Sequence, residues 1–451
     1  MKNKFHVFLC IVFTNYSVSQ IAFTQYGSDV FEASAPDSNM VPVISGDGNT
    51  VAIGRPLTPN GTGFGSVKIF NYNSGNWVQS GNDILGETWG EEFGSAMAIS
   101  DDGLTIAIGA FKRTTELGWG TGYVKVYNFV SGNWVQKGQS IFGPNTNSQL
   151  GRKILLSANG DTIVLRGQTT SNATQYLKIF NFSSGTWNLS HTLQHGQGGI
   201  ILNYYSEIDL SSNGTRLAIN STIWDLISNE WVRTDNNFYI SNISIGSISL
   251  SGDGNTIAIG NAYSFFIYKN LGGSNWQYSY GENFPGYNNN KSVDTNFNGN
   301  IITVYDHNSL TMKAYRFSNY LWTYFGYIST NNGANRLSSN GDKILSNFSI
   351  NSNNPYNNIQ TVKVYDTAYL LGISEFIPFN FSVFPNPARN IIFIHFDDDT
   401  QLEKLNLFNL QGQKLMESNI NSLDISSFSK GCYLLEVTTN KGKAVKRVIF
   451  E

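Results

Sequence analysis

An all-β architecture is what this 451-residue sequence predicts, from three observations. Only 14% of the residues are charged while 40% are hydrophobic and 14% aromatic, too much packing surface for a solvated coil. Asn and the 44 Gly make the chain rich in turn formers and poor in helix formers. One hairpin-like segment recurs seven times, and such self-similarity takes precedence over any local motif. At roughly 100 to 200 residues per domain the length allows two to four domains. A formal charge of -3 offers no basic footprint, so nucleic acid is not an expected partner.

The N-terminus reads as an export signal spanning residues 1–19. Lys2 and Lys4 precede an apolar run over residues 5–13, and Ser17, Val18 and Ser19 supply small residues for cleavage after Ser19. The run is under half of the roughly 20 residues a membrane-spanning helix needs. Cleavage leaves one cysteine, Cys432, so no intramolecular disulfide is expected.

The repeated hairpin begins as SGDGNTVAIG at Ser45, and related segments start at Ser100, Ser157, Ser211, Ser251, Asn296 and Ser338. Each carries an Asp-Gly or Asn-Gly pair, ending at Gly48, Gly103, Gly160, Gly214, Gly254, Gly299 and Gly341. Such a pair predicts a two-residue turn whose central positions both need positive φ. Successive glycines are 55, 57, 54, 40, 45 and 42 positions apart, close to the period of a four-stranded propeller blade. Lone acids such as Asp47, Asp102 and Asp253 read as turn formers.

A second unit follows each hairpin. VKIFNYNSGNW, VKVYNFVSGNW and LKIFNFSSGTW end at Trp77, Trp134 and Trp187, and looser copies end at Trp231, Trp276 and Trp322. A large aromatic at one position of stacked sheets predicts packing between neighbours. The seventh copy has its third strand, TVKVYD over residues 361–366, but Gly372 stands where Trp belongs. Its missing fourth strand is found at the other terminus: Phe23, Tyr26 and Val30 stand where Trp77, Ser80 and Ile84 stand one repeat later. Residues 20–366 are therefore expected to form a seven-bladed β-propeller whose N-terminal strand completes the last blade, which removes two open sheet edges.

The repeats resemble the FG-GAP family of integrin-α propellers over about 350 residues by repeat pattern, most clearly in the first three, through Phe93-Gly94-Ser95, Ile108-Gly109-Ala110 and the strand Gly122-Tyr123-Val124-Lys125-Val126-Tyr127. Calcium-binding members of that family carry several acidic ligands in an extended loop between the first two strands. Here that loop is a tight turn with one acid, whereas calcium takes six to eight oxygens, so no metal or other cofactor is expected.

After a linker at residues 367–379 the pattern changes. Short alternating apolar runs broken by Pro, Gly and Asn over residues 380–451 suggest an Ig-like β-sandwich of about seven strands. This segment resembles the type A C-terminal sorting domain of the Bacteroidetes type IX secretion system. The matching residues are Val383-Phe384-Pro385-Asn386-Pro387, Gly412-Gln413-Lys414-Leu415, Leu423-Asp424-Ile425, Gly431-Cys432-Tyr433 and Lys446-Arg447-Val448-Ile449. The resemblance implies Pro385, Asn386, Pro387, Gly431, Tyr433 and Lys446 as sorting-motif residues, and the type IX translocon and sorting machinery as partners. It also implies passage through the periplasm to a secreted or outer-membrane-surface location.

Catalytic signals are sparse, and no catalytic, cofactor-binding or metal-ligating residue is assigned. His191 and His195 are four apart, but zinc ligation at that spacing uses a helix and HTLQH falls in a strand. Glu87, Glu91 and Glu92 cluster ahead of the second blade and read as a solvated loop. No GxSxG elbow occurs. The long connections at residues 55–65 and 111–122, the latter bearing Trp119, suit ligand binding. The expected function is thus a non-catalytic surface or secreted propeller binding glycan or protein, as adhesin or scaffold. The alternative is a polysaccharide-active hydrolase or lyase. Acids or histidines at the mouth of the central channel would favour the enzyme, and an aromatic-rich, carboxylate-poor channel would favour binding.

Overall fold

The computed structural model describes residues 22–367 and 381–450, apart from 35–39, 59–62, 170–173, 204–205, 236–244, 285–291, 307–308, 319, 331–334, 351–358, 397–399, 410–413 and 441. Two compact units divide the chain, Met1–Leu370 and Leu371–Glu451. The signal segment with Ser19, and the linker beyond residue 367, lie outside the described residues.

In the first unit seven antiparallel sheets follow one another among the described residues. Sheet 1 runs Val41–Ile44, Thr50–Arg55, Ser66–Asn73, Asn76–Gln79, and sheet 2 runs Ala96–Ile99, Thr105–Ala110, Tyr123–Val130, Asn133–Gln136. Sheets 3 to 6 begin at Lys153–Leu156, Ile208–Leu210, Ile245–Leu250 and Ser292–Thr295. Sheet 7 joins Asn335–Leu337, Lys343–Ile350 and Ile359–Asp366 to the N-terminal strands Thr24–Gln25 and Phe31–Ser34. Second strands show no apolar-polar alternation because both faces are covered. Val51, Ala52 and Ile53, and likewise Ile106, Ala107 and Ile108, have no exposed surface.

The turn between first and second strands differs from expectation. Gly48 N–H donates to Ser45 O at 3.0 Å, and Gly48 alone of the central pair has positive φ (75°). Asp47 needs no left-handed backbone because its carboxylate braces the turn, accepting from Ser45 Oγ at 2.5 Å and from Asn49 N–H at 3.0 Å. Ser45 Oγ in turn accepts Thr50 N–H at 3.0 Å. Six of the seven turns repeat this Ser-Asx brace. In the sixth, Asn296 supplies donor and acceptor through its amide, to Asn298 and from Ile301. The turns with two positive-φ residues are instead the Ser-Gly ones between third and fourth strands, such as Ser74 (49°) and Gly75 (93°).

Neighbouring turns also bond to one another. Asp47 donates to Asp101 O, Asp101 to Ala158 O, Ala158 to Ser212 O, Ser212 to Gly252 O, Asp253 to Phe297 O, Phe297 to Ser339 O, and Asn340 back to Gly46 O, all by backbone N–H at 2.6 to 3.0 Å. The seventh bond returns to the first turn, so the series closes on itself.

The recurring aromatics sit between sheets. Trp77, Trp187, Trp231, Trp276 and Trp322 are buried and Trp134 is half-buried. The indole N–H of Trp77 donates to Tyr26 O, that of Trp134 to Ser80 O, that of Trp187 to Lys137 O and that of Trp322 to Ser279 Oγ. Each partner stands three residues past the equivalent aromatic of the preceding sheet. Phe23 obeys the same offset, with its ring meeting Phe325 edge-on at 5.5 Å, three residues past Trp322. Its backbone follows too, since Tyr26 N–H donates to Val364 O as Ser80 N–H donates to Ile69 O.

The second unit packs a three-stranded sheet (Phe381–Phe384, Ile391–Phe396, Ser422–Asp424) and a four-stranded one (Lys414–Ser418, Leu402–Phe408, Gly431–Thr439, Gly442–Phe450). Ile392, Leu405, Leu407, Leu435, Val437 and Val448 form its dry centre.

Candidate functional site: central channel, loop cluster and sorting module

First strands of all seven sheets line a cavity of about 390 Å³. Among the described residues its wall is mostly aliphatic, with Arg152, Lys153, Asp209, Asp294 and Arg336 as its charged groups and no aromatic side chain. Among the described residues the channel is therefore neither aromatic-rich nor carboxylate-poor, which on the criterion above favours the enzyme over the binding reading, although both acids are engaged in joining sheets. Both acids are half-buried at the wall and bridge adjacent sheets. Asp209 of sheet 4 accepts Leu250 N–H of sheet 5 at 2.6 Å. Asp294 of sheet 6 accepts Ser249 Oγ of sheet 5 at 3.0 Å and Leu337 N–H of sheet 7 at 2.7 Å. Loss of hydration pushes the Asp209 carboxyl up to about 6 against the two backbone N–H groups that favour its charged form, and nearby Asp294 adds to the rise. Asp294 is also raised by burial, with Arg336 opposing. Sequence reading missed this pair because the acids are far apart in the chain. The signal available was a lone Asp inside each apolar first strand, Ile208-Asp209-Leu210 and Val293-Asp294-Thr295.

At the end of the sheets opposite the turns, the connections of sheets 1 and 2 form a cluster around Glu91. The reading of Glu87, Glu91 and Glu92 as a solvated loop is corrected here, since Glu91 is 1% exposed. It accepts Glu87 N–H at 2.6 Å, Thr88 Oγ1 at 2.7 Å and Tyr123 OH at 3.1 Å, and pairs with Arg113 at 2.7 Å. Four donors offset the loss of hydration, which is why a carboxylate is tolerated there. Burial and the adjacent Glu91 and Glu87 raise the Tyr123 hydroxyl. Glu87 bonds Lys125, which holds its carboxyl below the usual range, and Glu92 pairs with Lys112 at 2.7 Å. Trp119 projects from this cluster, 62% exposed, while its backbone carbonyl accepts Asn147 N–H at 2.7 Å. Trp89, which sequence reading did not single out, is 74% exposed on the neighbouring connection.

His191 and His195 do not converge. His191 bonds Asn229 O and Ser190 Oγ, while His195 accepts Leu202 N–H. Asp47, Asp102 and Asp253 brace turns.

In the second unit the motif residues meet around the last strand. Pro385, Asn386 and Pro387 are exposed between Phe381–Phe384 and Ile391–Phe396. Asn386 Oδ1 accepts Ile449 N–H at 2.9 Å, and Ala388 N–H donates to Ile449 O at 2.8 Å. Tyr433 stacks on Phe450 at 4.3 Å and donates its hydroxyl to Ser429 O at 2.7 Å. Gly431 begins that strand at φ 157° and pairs with Phe450. Lys446 Nζ bonds Phe381 O and lies over the Phe381 ring at 4.6 Å. Residues 412 and 413 fall outside the described residues.

Comparisons with known proteins bear on both units. No curated protein matches the sequence. A chain of the solved structure titled "Crystal Structure of Mitotic Checkpoint Complex" is similar in fold at a TM-score of 0.51 and 14% identity, covering 81% of this chain and 100% of that one. Another match, "The crystal structure of a functionally unknown protein from Desulfotomaculum acetoxidans DSM 771", has a TM-score of 0.42 and 14% identity over 67% of this chain and 88% of that one. The first likeness places the chain among all-β, propeller-like folds. Residues 382–451 match the family described as "Secretion system C-terminal sorting domain". The chain thus carries a type IX sorting domain, works with the type IX secretion machinery, and is secreted or attached to the cell surface after export.

Proposed function

We propose that this protein is a non-catalytic binding or scaffold protein of the cell surface or medium, with glycan or protein as ligand. Its seven sheets are read as the blades of one β-propeller whose first three repeats are FG-GAP-like, and the closed series of turn-to-turn bonds supports that reading. The signal peptide ends at Ser19, and the second unit is an Ig-like sandwich removed during export while the first unit is released or fixed to the cell surface. Pro385, Asn386, Pro387, Gly431, Tyr433 and Lys446 serve sorting by clasping the final strand.

The observation that carries the binding role is Trp119, 62% exposed on a connection whose backbone is already fixed by hydrogen bonds. An exposed indole on backbone that is already ordered leaves only the side chain to be fixed when it meets a ligand. Screening the mature protein against a glycan array, candidate surface proteins and a hydrolase panel tests this. Specific binding without turnover is expected, and turnover of any polysaccharide would overturn it. A second reading, hydrolase or lyase, draws on Asp209, whose raised carboxyl could hold a proton beside Asp294 as paired acid and base. Under that reading Asp209→Asn abolishes turnover in the hydrolase panel.

A further inference from the structure

We propose that Trp89 and Trp119 together form a binding site for a neutral polysaccharide, an inference that rests on the binding role above and specifies its site and ligand class. Trp89 lies on the connection between Ile84–Leu85 and Ala96–Ile99, and Trp119 between Thr105–Ala110 and Tyr123–Val130, so both leave the sheets from one end. Arg113 fastens the two connections together, with Nη1 on Thr88 Oγ1 at 2.5 Å and on Glu91 at 2.7 Å. Buried Glu91 holds the Trp89 connection by three further bonds. The indoles are therefore mounted on one braced support while 74% and 62% of their own surface faces solvent. Rings exposed to this degree, on backbone that need not reorganise, offer flat electron-rich faces to the C–H faces of sugar rings.

Charge selects the ligand class. The cations mounted on the two connections already have acids, Lys112 with Glu92 and Arg113 with Glu91 and Glu87, and so has Lys125 beside them with Glu87, while Arg152 lies over the Phe111 ring and bonds Gln149. No cation among them is left for a uronate, sulfate or phosphate, and exposed Glu116 adds a negative charge that repels such groups. A neutral polymer meets no such cost.

Affinity electrophoresis of the full mature protein through gels containing a soluble neutral β-glucan, a neutral mannan, or alginate tests the proposal. Retardation by a neutral polymer and none by alginate is expected. Trp89→Ala and Trp119→Ala should each weaken that binding about tenfold, while Tyr320→Ala, at an exposed turn of the opposite end, leaves it unchanged. Undiminished retardation in both Trp variants would overturn this site while leaving the binding role intact. Preferential binding to alginate would overturn the ligand class. Failure of every polymer to retard the protein would overturn the proposal, and if the glycan array and surface-protein screen were also blank, the binding role would fall with it.

Discussion

Sheets 1 to 3 meet their neighbours through glycine, and sheets 4 to 7 through polar side chains. At the first boundary a Cβ on Gly54 would lie 2.1 Å from Gly94 O, and at the second a Cβ on Gly109 would lie 2.4 Å from Gly151 O. Bare backbone is pressed on bare backbone. The next boundary breaks the rule, because Arg166 stands in the place of Gly109 and reaches Ser206 O with its guanidinium at 2.7 Å. Beyond it Asp209, Ser247, Ser249 and Asp294 carry the contacts, and Met40 and Gln360 help join sheet 7 to sheet 1. The two glycine-joined intervals are long, 55 and 57 positions between turn glycines, as is the 54 that spans the Arg166 boundary, against 40 to 45 in the last three. Close backbone approach fixes the start of each connection, so the extra residues can extend outward and display Trp89 and Trp119. The side-chain-joined half spends its polar groups on its own seams.

The largest effect is expected where the two halves rejoin. Deleting residues 20–34 removes Phe23, Val30 and Ala33 from buried positions and strips the partners from one edge of Ile359–Asp366, leaving Lys343–Ile350 on the other. At roughly 1.5 to 3 kcal/mol per buried apolar side chain, denaturant unfolding should show a loss on the order of 5 kcal/mol, and aggregation from the exposed edge. Deleting residues 380–451 should leave the ring's unfolding midpoint in place. Next in size, Gly109→Ala forces a methyl against Gly151 O and should cost about 2 to 3 kcal/mol. A change under half of that would mean the glycine seam is looser than described.

In the other half, Asp294→Ala leaves the Leu337 N–H and the Ser249 hydroxyl without this acceptor, and Thr295 N–H with Ser249 Oγ alone, for about 2 kcal/mol. Asp209 gives a pH signature instead. Its folded value of about 6 lies above the ordinary 3.8, so the fold binds this proton more tightly than the unfolded chain does. Its contribution is complete below about pH 4 and is lost as pH rises through 6, by about 2 to 3 kcal/mol in all. The stability of the wild type relative to Asp209→Asn should therefore fall across that interval. A flat difference would show that the carboxyl is not shifted.

What was legible in the sequence was whatever the backbone repeats. The seven turns, the slot aromatics and the likeness of Phe23 to Trp77 all follow from strands that must pair at fixed offsets. Turn geometry was misjudged because Asp47 and its equivalents brace the turn with a side chain rather than with a left-handed backbone. Glu91 was misjudged because its burial depends on Arg113 and Tyr123, 22 and 32 residues away. Asp209 and Asp294 were invisible for the same reason, since a channel is assembled from strands the chain visits one at a time. Trp89 was overlooked because it belongs to no repeat.

Closure of the ring by the N-terminal strand can be measured directly. Gln25 and Tyr365 are opposed across that pairing, and directly opposed Cα atoms of an antiparallel pair, about 4.5 to 5.5 Å apart, fall within disulfide range. The double variant Gln25→Cys, Tyr365→Cys should form an intramolecular disulfide under mild oxidation, read by mass spectrometry of the cross-linked peptides, and its unfolding midpoint should drop on reduction. Two cysteines that stay freely reactive in the folded protein would contradict a ring closed by its first strand.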